Sequence, residues 1–175
     1  GIGWDHVNVF FFFLSYIEQF RIFVQTIEEG GCLIYDKNDN EACKIAHDSE
    51  IKSFAYDIHN YCNDNGQVYL LVGDELIRIK LFGEHNMKNI NAAYNVCKRL
   101  NISDKIFYEA ISTFKGASRR LELILDNHIN NNLLFRDFAH APSKVLATVK
   151  ALREQFPNQF LLVVFELHTY SSLSE

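Results

Sequence analysis

Short apolar runs alternate along this chain with longer stretches of helical period, and that alternation limits the folds open to it. Cys32–Tyr35, Ile51–Tyr56, Gln67–Val72 and Phe160–Phe165 have the length of buried strands. Ser15–Glu28 instead places Tyr16, Phe20, Phe23, Val24 and Ile27 at helical spacing and stops at Gly30-Gly31. A short helix is expected over Glu41–Ala46. Gly73-Asp74 between Gln67–Val72 and Glu75–Phe82 reads as a hairpin turn. Helices lying between apolar strands define an α/β class.

Further along, His85–Leu100 carries Met87, Ile90, Tyr94 and Cys97 on one helical stripe. Ser103 and Asp104 can cap a second helix reaching Phe114, and Lys115-Gly116-Ala117-Ser118 reads as a hinge. Arg120–Leu125 and Leu133–Phe138 read as strands. Pro142 suits the first position of a helix running to Phe156, where Pro157 ends it. The stretch from Leu133 to Phe165 therefore predicts strand, helix and strand, as in a doubly wound sheet.

Bulk properties exclude several classes. The net charge of -5 argues against a general nucleic-acid binder, although a small phosphorylated ligand needs only a few local donors. The four cysteines form no C-x-x-C pair, which predicts neither a zinc site nor a disulfide framework and favours a reducing cytoplasm. The apolar run Val9–Leu14 is too short to span a bilayer and is expected to be buried strand or core, so no membrane insertion is expected. Gly1 at the start and a single mid-chain Met87 give the expectation that this is an interior piece of a longer protein.

Four polar clusters carry the candidate chemistry. In Gly83-Glu84-His85-Asn86-Met87-Lys88-Asn89, His85, Asn86 and Asn89 share the first turns of a helix, where free N–H groups also point outward. An Asn amide offers one donor and one acceptor, which matches adenine, but plain helix capping explains the same residues. Arg119-Arg120 after Gly116 can present a guanidinium to phosphate, or form a solvated pair with Glu122. Asp137 leaves a strand and precedes a helix, the usual ligand position in open α/β sheets; alternatively Asp137 or Ser143 caps the helix. Trp4-Asp5-His6 lies beside the first apolar run, where a lone His is more often structural and nothing nearby in sequence completes a metal site.

The order of these clusters resembles the Mur ligase family. G-x-H-N-x-x-N-x-x-A-A is similar to that family's adenine-site helix, F-K-G-A-S-R-R-L-E to its interdomain linker, D-F-A-H-A-P to its C-terminal aspartate–histidine loop, and W-D-H to its D-H element. The resemblance implies a partial central ATP-binding domain over residues 1–114 and the start of a Rossmann-like C-terminal domain over 115–175. It implies ATP and magnesium as cofactors. Asn86 and Asn89 would contact adenine beside His85, Arg120 the phosphates, and Asp137 the ribose. His140 would lie near the nucleotide, and His6 would bind magnesium.

The implied reaction joins an amine to the carboxylate of UDP-N-acetylmuramate through an acyl phosphate. D-F-A-H and Glu166 after the last strand favour an L-alanyl-γ-D-glutamyl-diaminopimelate tripeptide as the amine, with L-alanine as the alternative. The family's G-x-x-G-K-[ST] phosphate loop is absent from the chain, so the segment alone is not expected to catalyse the reaction. A folylpolyglutamate synthase-like ligase and a non-catalytic module that kept the fold are the rival readings.

Overall fold

The computed structural model describes residues 2, 9–127 and 132–166. The first helix, α1 (Phe13–Gln25), buries Ile17 and Val24 against Ile45 of α2 (Asn40–Asp48). Asp39 caps α2 by accepting from the Ala42 amide at 2.9 Å. The helix crosses between β1 (Leu33–Asp36) and β2 (Ser53–Tyr56), which pair in parallel, so these three elements form a β-α-β unit.

Three antiparallel strands follow: β3 (Tyr61–Asp64), β4 (Gln67–Val72) and β5 (Glu75–Ile79), in the order β3-β4-β5. β4 alternates as a half-buried strand must, with Val68 and Leu70 inward. The predicted hairpin at Gly73-Asp74 joins β4 to β5. β3 was not legible in sequence, because Tyr61-Cys62-Asn63-Asp64 carries only two apolar residues before a turn.

Two helices close the larger core. In α3 (Glu84–Arg99) Met87 and Ile90 are buried, and Tyr94 and Cys97 pack against the same cluster, which is the predicted stripe. Ser103 caps α4 (Asp104–Thr113), whose Phe107 and Tyr108 complete a core with Val68, Leu70 and Ile79. Removing side chains this fully buried costs about 2–5 kcal/mol each. His59 is buried beside Tyr108 and accepts from its hydroxyl at 2.9 Å, while its Nδ1 donates to the Asn60 carbonyl at 2.9 Å.

Beyond residues 115–121, β6 (Glu122–Asn127) and β7 (Asn132–Arg136) pair antiparallel and α5 (Pro142–Gln155) follows, with Pro142 in its first turn as expected. This part packs onto the preceding one. Phe82 stacks edge-on against Phe135 and Phe156, and Gln155 donates to the Gly66 carbonyl at 2.7 Å.

Two expectations fail. Val9–Leu14 is not buried strand: Phe11, Phe12 and Leu14 are 74%, 75% and 78% exposed, and the run enters α1. Val9–Phe12 precede α1, and within the helix only the stripe carrying Ile17 and Val24 turns inward, so Phe13 and Leu14 at its start are left outside. Phe160–Phe165 has no regular secondary structure and joins no ladder among the described residues. Leu161–Phe165 lines a cavity with residues of β7 and α5, and among the described residues the expected second parallel strand is not formed. The class is nonetheless mixed α/β.

Candidate functional site

The start of α3 is set by Gly83, whose φ of 86° belongs to glycine. The Asn86 side-chain amide donates to the Phe82 carbonyl at 2.8 Å, a local bond, while no side chain caps a free N–H at this helix start. Asn89, one turn further on, is exposed. Both line one cavity of about 590 Å³, a size ordinary for small-molecule sites.

Elements distant in sequence meet around this cavity. α3 contributes His85, Asn86 and Asn89; the linker contributes Gly116, Ala117 and Arg120; the segment after β7 contributes Asp137. Leu81, Ile90, Ala93, Ile111 and Phe114 form an apolar wall suited to the face of a flat ring. Five of the predicted nucleotide-side residues are thus brought together. His140 is not among the lining residues; its Nδ1 donates to the Phe138 carbonyl at 2.9 Å. That short-range turn bond ties the ring to its own strand exit, one residue from Ala139, which does line the cavity. His6 lies outside the described residues.

The linker is tightly turned, with Arg119 and Leu121 both at positive φ. The Glu122 carboxylate accepts from the Arg119 backbone N–H at 2.7 Å and from the Arg136 guanidinium at 3.0 Å. Those bonds, the backbone one foremost, hold its pKa below the ordinary range. Glu122 therefore anchors the turn and is not simply the charge partner of the Arg119-Arg120 side chains. The Arg120 guanidinium stands 5.8 Å from the centre of the Phe138 ring.

Asp137 accepts from the Thr148 hydroxyl at 2.8 Å. The N-cap of α5 is Ala141, without a side-chain cap bond, so the helix-cap alternative for Asp137 and Ser143 does not describe this turn. Burial pushes the His85 imidazole below its ordinary pKa, and the charges of Asp137 and Glu84 oppose that shift. His85 thus presents a neutral ring within electrostatic reach of Asp137.

Sequence reasoning missed Lys144 and Thr148, which also line the cavity. With Ala147 they occupy helical positions i, i+3 and i+4 on α5, a spacing that could have found them. Among the described residues no group of three His, Cys, Asp or Glu side chains could hold a metal ion. No helix among them is long and apolar enough to cross a membrane.

The architecture matches known ligases. The alanine ligase of Thermotoga maritima superposes with a TM-score of 0.67 at 18% identity, covering 88% of this chain and 37% of that one. MurF from Acinetobacter baumannii gives 0.70 at 17% identity, covering 91% and 36%. A murein peptide ligase from Psychrobacter arcticus gives 0.56 at 22% identity, covering 83% and 33%. The fold is therefore a Mur ligase-like mixed α/β fold.

Sequence relatives carry the assignment further. UDP-N-acetylmuramate–L-alanine ligases from Caldicellulosiruptor saccharolyticus and Aquifex aeolicus are 31% and 28% identical, over 97% and 95% of this chain. No family model matches the chain. It spans 40% and 39% of those relatives' length. The similarities support the Mur ligase family for this chain, and the relatives and structural neighbours are ligase enzymes.

Proposed function

We propose that this chain forms the base and ribose side of the ATP site in a ligase that couples L-alanine to UDP-N-acetylmuramate. The observation that carries the reading is the single cavity that gathers His85, Asn86, Asn89, Arg120 and Asp137 from three separate parts of the chain. On the same proposal, residues 1–114 are part of a central ATP-binding domain and 115–175 are the start of a C-terminal one.

The donor chemistry fits a nucleotide. The apolar wall would cover the adenine faces, and the Asn89 amide would pair with the ring edge. Asp137 would accept from a ribose hydroxyl, and the fixed charge of Arg120 would meet phosphate. Lys144 adds a second cation to the same cavity. When bound, ATP would supply the phosphoryl group that activates the muramate carboxylate. These residues act by holding the nucleotide in place, which is the main contribution proteins make to phosphoryl transfer. Magnesium and a cytoplasmic location belong to the same proposal.

The relatives favour L-alanine over the tripeptide as the amine, since the sequences matched over nearly the whole chain are named L-alanine ligases. The tripeptide reading keeps the D-F-A-H motif in its support. Phosphate release by the full-length protein carrying this segment tests both. It should require UDP-N-acetylmuramate together with L-alanine. Turnover with the tripeptide alone would reverse the choice, and turnover with neither amine would overturn the ligase reading.

A further inference from the structure

We propose that Thr148 is the positioning residue for Asp137, and that it sets which way the carboxylate faces in the nucleotide cavity. The inference rests on the reading of Asp137 as the ribose acceptor. Asp137 follows the last residue of β7 and lies in an irregular segment, where a carboxylate has two free side-chain torsions. Thr148 Oγ1 donates to its Oδ2 at 2.8 Å, across eleven residues of chain. That bond selects one orientation and commits one oxygen, leaving Oδ1 as the oxygen that Thr148 does not hold.

The donor is itself well fixed. Threonine is β-branched, and few χ1 rotamers fit within a helix. A helical threonine commonly donates to a carbonyl one turn back; here the hydroxyl is directed to Asp137. Thr148 lies three residues before Ala151, which is 2% exposed and stands against Gly83 at the start of α3. The helix face that carries Thr148 is therefore pinned to the helix that carries His85 and Asn89. Asp137 is thereby oriented relative to the base-side residues as well as to its own strand.

Calorimetric binding of a non-hydrolysable ATP analogue to the full-length protein tests this, with its 2′-deoxy and 3′-deoxy counterparts. Loss of one oriented hydrogen bond predicts about tenfold weaker binding for Thr148→Val and Thr148→Ala. Thr148→Ser should restore the affinity. The weakening should vanish for whichever deoxy analogue lacks the hydroxyl that Asp137 accepts from. A second readout needs no nucleotide: the His85 titration followed by NMR senses the Asp137 charge. It should shift in Thr148→Val and return in Thr148→Ser. Equal binding by wild type and Thr148→Val, with Asp137→Asn impaired, would overturn this inference and leave the ATP reading intact. If Asp137→Asn also binds every analogue as wild type does, the ribose reading fails first. Weakening of the same size for all three analogues, or an unmoved His85 titration, would reduce Thr148 to a structural role and overturn the proposal.

Discussion

A Cβ placed on Gly83 would stand 2.5 Å from the Cβ of Ala151, and 3.2 Å from Cε1 of the His85 ring. The first turn of α3 and the middle of α5 therefore touch through a gap that only a hydrogen atom fits. Lys150, next to Ala151, pairs with Glu84, next to Gly83, at 3.4 Å. One small residue thus decides how closely the two halves of the cavity approach.

Gly83→Ala should be among the more damaging single changes in the chain. Its φ of 86° with ψ of 141° is strained for any side chain, at about 1–3 kcal/mol. Overpacking against Ala151 adds roughly 1–3 kcal/mol. Gly73→Ala is the matched comparison, because it too has positive φ but meets nothing within 4 Å. Urea unfolding should show the larger loss at Gly83. Equal losses would mean that the contact with Ala151 relaxes freely.

Asn86 and Asn89 should separate into different roles. Asn86→Ala removes the bond to the Phe82 carbonyl and should cost about 1 kcal/mol of stability. Asn89→Ala should leave stability unchanged and, on the proposed function, raise the ATP KM of the full-length protein several-fold. Lys105→Ala is a suitable surface control, since Lys105 is 83% exposed on α4 with Glu109 at 4.0 Å. Lys150 is unsuitable, because its partner Glu84 opens α3. An unchanged KM in Asn89→Ala would return that helix start to capping alone.

Much of this arrangement was legible in the sequence, and the failures share one cause. The α3 stripe, the Ser103 cap, the Gly73-Asp74 turn and the Pro142 start depend on neighbours within a few residues, which sequence displays directly. The cluster His85, Asn86, Asn89, Arg120 and Asp137 was recognisable through the order of its motifs. Its convergence on one cavity depends on Gly83 meeting Ala151, a contact between residues 68 positions apart that no local pattern encodes. Phe160–Phe165 was read as a strand because apolar content reports burial tendency and is silent about backbone partners.

Lys88 and Asp36 should behave as a unit. Lys88 Nζ lies 3.1 Å from Asp36 Oδ2, with side chains 26% and 9% exposed, and so ties α3 to the end of β1. Removing Lys88 alone strands a buried carboxylate, which costs about 3–5 kcal/mol at full burial and less here because Lys88 is partly wet. Lys88→Met should therefore destabilise, and adding Asp36→Asn should recover much of the loss. A double mutant no better than the sum of the singles would show that the pair is not coupled.

His85 gives the site a pH dependence whose direction follows from its surroundings. Burial holds its folded-state pKa below the ordinary 6.5, against the opposing pull of Asp137 and Glu84. Well above pH 6.5 the ring is neutral in both folded and unfolded chains, and its contribution to stability is complete. Below 6.5 the unfolded chain takes up a proton first, so stability falls until the pH has passed through the folded value. His85→Gln should flatten this part of the profile when urea midpoints are compared between pH 7.5 and pH 5. Asp137→Asn should act in the other direction on the ring itself: without the carboxylate charge, burial goes unopposed from that side and the His85 pKa drops further. NMR titration of the imidazole reads this shift directly, and an unchanged midpoint in Asp137→Asn would show that the two side chains do not sense each other across the cavity.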